Sequence, residues 1–201
     1  NLAMWPAHIL AVALGLVILL LLRVRSPARG RVSSGILVVL LGFVAWAFLW
    51  QRYATINWAV AYVLPLLVLE IVLLAWSGLV RNGLAFRASR RPAGVTGMTL
   101  LAFSVLAYPI IAPLLGRSWR HAEVFGIAPD PTVIGTAGLV LLAEGRTRWE
   151  LLAVPLIWCT ISSLTLLAMG SPDAVLPAVA AIGVVAAGVS SRHRRWSAPD
   201  V

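Results

Sequence analysis

Lysine is absent from this chain, cysteine occurs once, and acidic residues number seven among 201 positions. Each scarcity excludes something. Cys159, alone inside an apolar run, can build neither an intrachain disulfide framework nor a thiol-pair metal site. Charged residues make up 11% of the chain and apolar ones 61%, with a mean hydropathy of +0.95. Soluble domains carry about 25% charged residues, so a water-soluble globular protein is ruled out. Missing too are a GxSxG elbow, an HExxH helix, a P-loop and a GxGxxG followed by an acid. With helical spans of about 20 residues, a chain of this size has room for one membrane domain and none for a separate soluble one. Residues 1–201 therefore read as a single transmembrane domain.

What is present is arginine. All sixteen basic residues are arginines, for a formal net charge of +9. On a soluble domain that balance would suggest nucleic acid. Here the arginines sit in short clusters between apolar runs, where they set orientation and touch anionic head groups of the bilayer. No nucleic-acid partner is expected.

Seven apolar runs follow one another: 5–22, 32–50, 58–80, 95–115, 132–143, 151–169 and 174–189. The first is long enough to remain as a span rather than act as a signal peptide. Assigned to alternate sides, thirteen arginines fall with residues 23–31, 81–91, 146–148 and the tail, against Arg52, Arg117 and Arg120 on the other side. The positive-inside rule then orients the chain, but only if the short fifth run crosses. The expected fold is an all-α integral membrane protein of seven transmembrane helices, the fifth short, with the amino terminus out and the carboxy terminus in. Trp5, Trp50, Trp58 and Trp119 would ring the outer boundary, and Trp76, Trp149 and Trp196 the inner one. Trp46 and Trp158 lie deeper and read as packing residues.

Two places could carry chemistry. Glu70 is the one acid in mid-span, where an ionised side chain costs several kcal/mol. No basic residue lies in any span, so its expected partners by depth are the hydroxyls of the sixth run: Thr160, Ser162, Ser163 and Thr165. Glu70 with Thr160 and Ser163 would form either a relay for a proton or cation, or a polar bond gluing helices or subunits together. The second place is the start of the short fifth run. Phe125-Gly126-Ile127-Ala128-Pro129-Asp130-Pro131-Thr132 precedes only twelve apolar residues, which rise about 18 Å against a hydrocarbon core of about 30 Å. A half-length helix after a Gly/Pro-rich dip has the form of the broken helices at transporter sites. Asp130, Thr132 and Val133 would bound a helix start open to an anion, unless Asp130 caps those amides itself. The stretch 125–132 is expected to be non-helical and buried in protein.

Small residues spaced one turn apart, Ala7, Ala11 and Gly15 in the first run and Gly183 and Ala187 in the last, mark close helix packing within the chain or with a partner. His8 and His121 fall on the same side and could in principle ligate haem. Without further motif support no cofactor is expected, and the tail's His193 simply joins the arginines in meeting head groups.

Trp5-Pro6-Ala7, Tyr108-Pro109 with Gly116 beyond, Phe125 to Thr132, and Thr136-Ala137-Gly138-Leu139 resemble a bacterial multi-pass membrane family of unknown function. The resemblance runs over nearly the whole chain and implies the bacterial inner (cytoplasmic) membrane. The resemblance implies glutamine where His8 stands here, which weighs against a histidine ligand. The resemblance brings no activity with it. The expectation is a non-catalytic accessory or structural subunit that packs against other membrane subunits or itself. The alternative is a small transporter or channel using Glu70 and the helix start at Pro129–Thr132.

Overall fold

The computed structural model describes residues 6–24, 26–53 and 60–196, with the backbone alone for 192–196. Among these, the regular structure is helical, with one isolated antiparallel bridge between Phe86 and Ala143. The first helix, α1, spans Ala7–Leu21. α2 runs over Arg29–Phe43 and continues as wider π turns through Val44–Tyr53. α3 occupies Val60–Leu74 and likewise widens over Ala75–Val80. α4 begins at Pro92 and extends, through π and 3-10 turns, to Leu114. α5 is Pro129–Leu141, α6 is Trp149–Ala168, and α7 starts with a 3-10 turn at Pro172–Ala174 and continues over Val175–Trp196. Prolines open α4, α5 and the turn leading into α7. The ring fixes φ near the helical value, and the missing N–H is one that the first turn would leave unpaired anyway.

Five of these helices, α2, α3, α4, α6 and α7, are long and apolar enough to cross a membrane. The two shorter ones are α1, with 15 residues, and α5, with 13. Seven apolar runs thus give seven helical rods among the described residues, of which five have spanning length.

The arrangement explains the short one. α1 packs on α2, α2 on α3, α3 on α6, α6 on α7, α7 on α4, and the π turn of α4 returns to α1. Six helices close a ring, and α5 stands inside it against α2, α4, α6 and α7. Every residue of α5 is buried. A helix that never meets lipid need not match the hydrocarbon thickness, which removes the length conflict seen in the sequence. Above its start, Phe125 to Ala128 are also buried and fill the remaining depth. The outward faces of the ring are apolar: on α7, Val175, Val179 and Ile182 recur at helical spacing and Ile182 is 69% exposed.

The small residues seen in the sequence make the inner contacts. A Cβ on Gly138 would lie 2.7 Å from the Leu101 backbone nitrogen and 2.8 Å from the Gly97 carbonyl oxygen, so α4 and α5 touch backbone to backbone. One on Gly15 would meet Val105 at 2.9 Å and Phe125 at 3.0 Å. Ala11 and Ala187 are buried too. Both small-residue seams face the chain's own core.

The tryptophan expectations divide. Trp50, Trp76 and Trp119 are exposed, as belt residues should be. Trp46, expected to pack inside, is instead 57% exposed on the outside of α2, because depth along a span says nothing about which way the residue faces. Trp5 and Trp58 lie outside the described residues, as does the side chain of Trp196.

Candidate functional site

Asp130 is the second residue of α5, 7% exposed, and its carboxylate points sideways into α6. The Trp158 indole Nε1–H donates to one oxygen at 2.8 Å, and the Ser162 hydroxyl donates to the other at 2.6 Å. Trp158 and Ser162 are four apart on α6 and so share one face. The capping role foreseen for Asp130 is therefore corrected. Ala128 occupies the cap position and no side chain bonds the first-turn amides. The reason is that little is left to cap. Of the first four N–H groups, Ala128 donates to the Val124 carbonyl at 2.9 Å, and Pro129 and Pro131 have none. Only the amide of Asp130 remains, beside its own carboxylate. Such a start offers little to an anion.

The non-helical stretch is also shorter than expected, ending at Ala128 rather than Thr132. Pro131 does not keep Asp130 out of the helix, because prolines at the first and third helical positions break no ladder bond. Thr132 does the work of anchoring. Its hydroxyl accepts from the Gly126 N–H at 2.7 Å and donates to the Ala128 carbonyl at 2.6 Å. One turn on, the Thr136 hydroxyl donates to the Thr132 carbonyl at 2.8 Å. Gly126 holds φ at +79°, and a Cβ there would lie 2.8 Å from Leu40 and 3.0 Å from Ala11. Glycine is required on both counts. Val133 is a buried helix residue, 2% exposed, with no polar side chain to offer a ligand.

The connection over this site is tied down as well. Arg117 pairs with Asp173 at the α6–α7 turn, and Ser171 also donates to Asp173. His8 is half-buried near the start of α1, while His121 is exposed on a 3-10 turn at Trp119–His121. Among the described residues no group of three or more His, Cys, Asp or Glu converges to hold a metal.

Glu70 is the opposite case. It lies ten residues from either end of the helical stretch Val60–Val80, about 15 Å along the axis. Its side chain is 1% exposed, and neither carboxyl oxygen has a hydrogen-bond partner among the described residues. The hydroxyls assigned to it by depth are bonded elsewhere. Thr160 donates to the Leu156 carbonyl, Thr165 to the Ile161 carbonyl, Ser163 to the Ala174 carbonyl, and Ser162 to Asp130. The structure thus does not bring Glu70, Thr160 and Ser163 together. It does place α6 against both α3, which carries Glu70, and α5, which carries Asp130.

The pair that sequence reasoning missed is Trp158 with Ser162. Their spacing on one helical face, at the depth of an acid with no nearby cation, was the signal that could have found them. No curated protein and no solved structure matches the chain. A family model described as a family of unknown function, DUF6064, matches residues 1–198, and the chain belongs to that family.

Proposed function

We propose that the chain is a multi-pass protein of the bacterial cytoplasmic membrane, crossing seven times with its amino terminus outside, and that it moves protons or a small cation by way of Glu70. One observation carries this reading: a carboxyl group at mid-span, 1% exposed, with both oxygens unbonded. As polar glue, Glu70 would have to bond another helix or a neighbouring subunit. Neither oxygen bonds any described residue, and a side chain so enclosed reaches no subunit outside the ring. An unpaired acid at that depth is costly, and intramembrane acids of this kind mark proton and ion pathways.

The orientation rests on the arginine count and on α5 completing the alternation of sides. The accessory-subunit reading drew on the low charge, the short loops and the lack of a catalytic constellation as well as on the small-residue seams; of the seams, Ala11, Gly15 and Ala187 are buried inside the chain. The test is flux into liposomes holding a pH-sensitive dye under an imposed potassium diffusion potential, with sodium and potassium uptake measured in parallel. Wild type should exceed empty liposomes for one of these ions. Glu70→Gln should lose that flux while keeping its unfolding midpoint. Flux no greater than in empty liposomes, or full flux in Glu70→Gln, would overturn the proposal.

A further inference from the structure

The arginine-rich end of the bundle holds a feature that the Glu70 reading does not use. The segment between α3 and α4 folds back on the end of α5. The Glu144 N–H donates to the Ala85 carbonyl at 2.7 Å, and the Arg87 N–H to the Leu142 carbonyl at 2.9 Å. Phe86, 1% exposed, anchors the fold-back. Between this segment, the start of α4, the end of α5 and the start of α6 opens a cleft of about 960 Å³. Arg87, Arg90, Arg91 and Arg146 line it, with Trp149 in its wall.

The charges in the cleft do not cancel. Glu144 also lines it, but its carboxylate is held by Arg29 at 3.2 Å. Arg146 reaches Glu150 at 2.8 Å. The side chains of Arg87, Arg90 and Arg91 make no hydrogen bond or ion pair with any described residue, and all three are exposed. Three exposed guanidinium groups line one cleft, and each can offer phosphate oxygens a planar fork of donors. The start of α4 adds to this, since Arg91 is its cap residue and no side chain caps the first turn.

We propose that this cleft binds the phosphate of an anionic phospholipid head group. The chemistry selects phosphate, and the position selects the lipid. The cleft lies where α4 and α6 begin and α5 ends, at one rim of a bundle whose long helices are of spanning length. The indole of Trp149 in its wall suits the head-group plane. The assignment is independent of any transport through Glu70.

The full chain, purified in detergent, would be titrated with short-chain phosphatidylglycerol, with phosphatidylcholine of equal chain length, and with inorganic phosphate. Bound lipid is counted by native mass spectrometry. Wild type should retain phosphatidylglycerol in preference to phosphatidylcholine. The double substitution Arg90→Ala with Arg91→Ala should weaken that binding about tenfold or more, because each change removes a charge-assisted donor fork from the phosphate. Arg81→Ala, an exposed arginine outside the cleft, serves as control and should leave it nearly unchanged. Equal loss in the double variant and the control would overturn the site in favour of diffuse surface charge. Displacement of the lipid by inorganic phosphate at comparable concentration would overturn the lipid assignment in favour of a free phosphate ester.

Discussion

Replacing Gly138 with alanine tests the enclosed-helix architecture most directly. The added Cβ would stand 2.7 Å from the Leu101 nitrogen, 2.8 Å from the Gly97 oxygen and 3.1 Å from the Leu100 Cβ. The first two are backbone atoms of α4, so no rotamer change relieves the clash. The helices must move apart by several tenths of an ångström, in a ring closed on all sides. Overpacking of this kind costs about 1–3 kcal/mol, while alanine regains about 1 kcal/mol of helix propensity over glycine. A net loss of up to about 2 kcal/mol is expected. Gly183→Ala is the matched control, because its nearest neighbour is Thr96 Cγ2 at 3.6 Å, an ordinary contact. It should be neutral or stabilising. Gly97→Ala should mimic Gly138→Ala, since its Cβ would come within 2.6 Å of the Gly138 oxygen. The double variant should lose less than the sum, because one separation of α4 and α5 accommodates both methyl groups. Unfolding in mixed micelles, followed by tryptophan fluorescence, measures each. If Gly138→Ala proves as stable as Gly183→Ala, α5 does not pack backbone to backbone against α4.

Asp130→Ala should destabilise by about 1–3 kcal/mol by leaving the buried Trp158 indole and the partly buried Ser162 hydroxyl unpaired, whereas Asp130→Asn should retain most of the stability, since its carbonyl accepts from Trp158 and the Ser162 hydroxyl can turn to accept from the amide. A double-mutant cycle with Trp158→Phe should show positive coupling between the two positions, and strict additivity would refute the bond. Thr132→Val keeps the shape but removes the hydroxyl that joins Gly126 to Ala128, so it should cost about 1–3 kcal/mol and speed amide exchange at Gly126, while Thr132→Ser should be mild in both measurements. For the orientation, single cysteines placed at Ser89 and Ser118 in a variant lacking Cys159 should label from opposite sides of the membrane, with Ser118 reacting in intact cells; labelling from one side alone would refute the odd number of crossings between them.

Helix positions were legible in the sequence because lipid and turn chemistry write them plainly. Apolar runs stop at arginine clusters, Pro92 and Pro172 lie where helices begin, and Gly116 and Gly170 hold the positive φ that ends them. The azimuth of each residue was not legible. In a spanning helix the lipid-facing and core-facing sides are both apolar, so periodicity cannot tell them apart. That is why Trp46 was assigned to the interior and why Ser162 was grouped with Glu70. The enclosure of α5 was half legible. Its deficit in length showed in the sequence, but the ring that makes the deficit harmless depends on α4 packing against both α1 and α7, which no local pattern encodes. Gly97 and Gly138 mark that contact, yet a glycine in a membrane helix is too common for either to stand out alone.

The two buried acids are handled in opposite ways, and the difference bears on what each can do. Asp130 sits on the enclosed helix, where two donors from α6 meet its two oxygens. A carboxylate so matched is fixed in place, and its loss should register as instability. Glu70 sits on a ring helix with no donor at either oxygen. No hydrogen bond from a described residue holds its carboxyl group in one geometry, so its protonation can change without breaking a bond on which the fold depends. Substituting Glu70 by glutamine should therefore leave stability unchanged whatever it does to flux, and substituting Asp130 by alanine should reduce stability before any flux is measured. The contrast separates the acid that builds the bundle from the one left free to act within it.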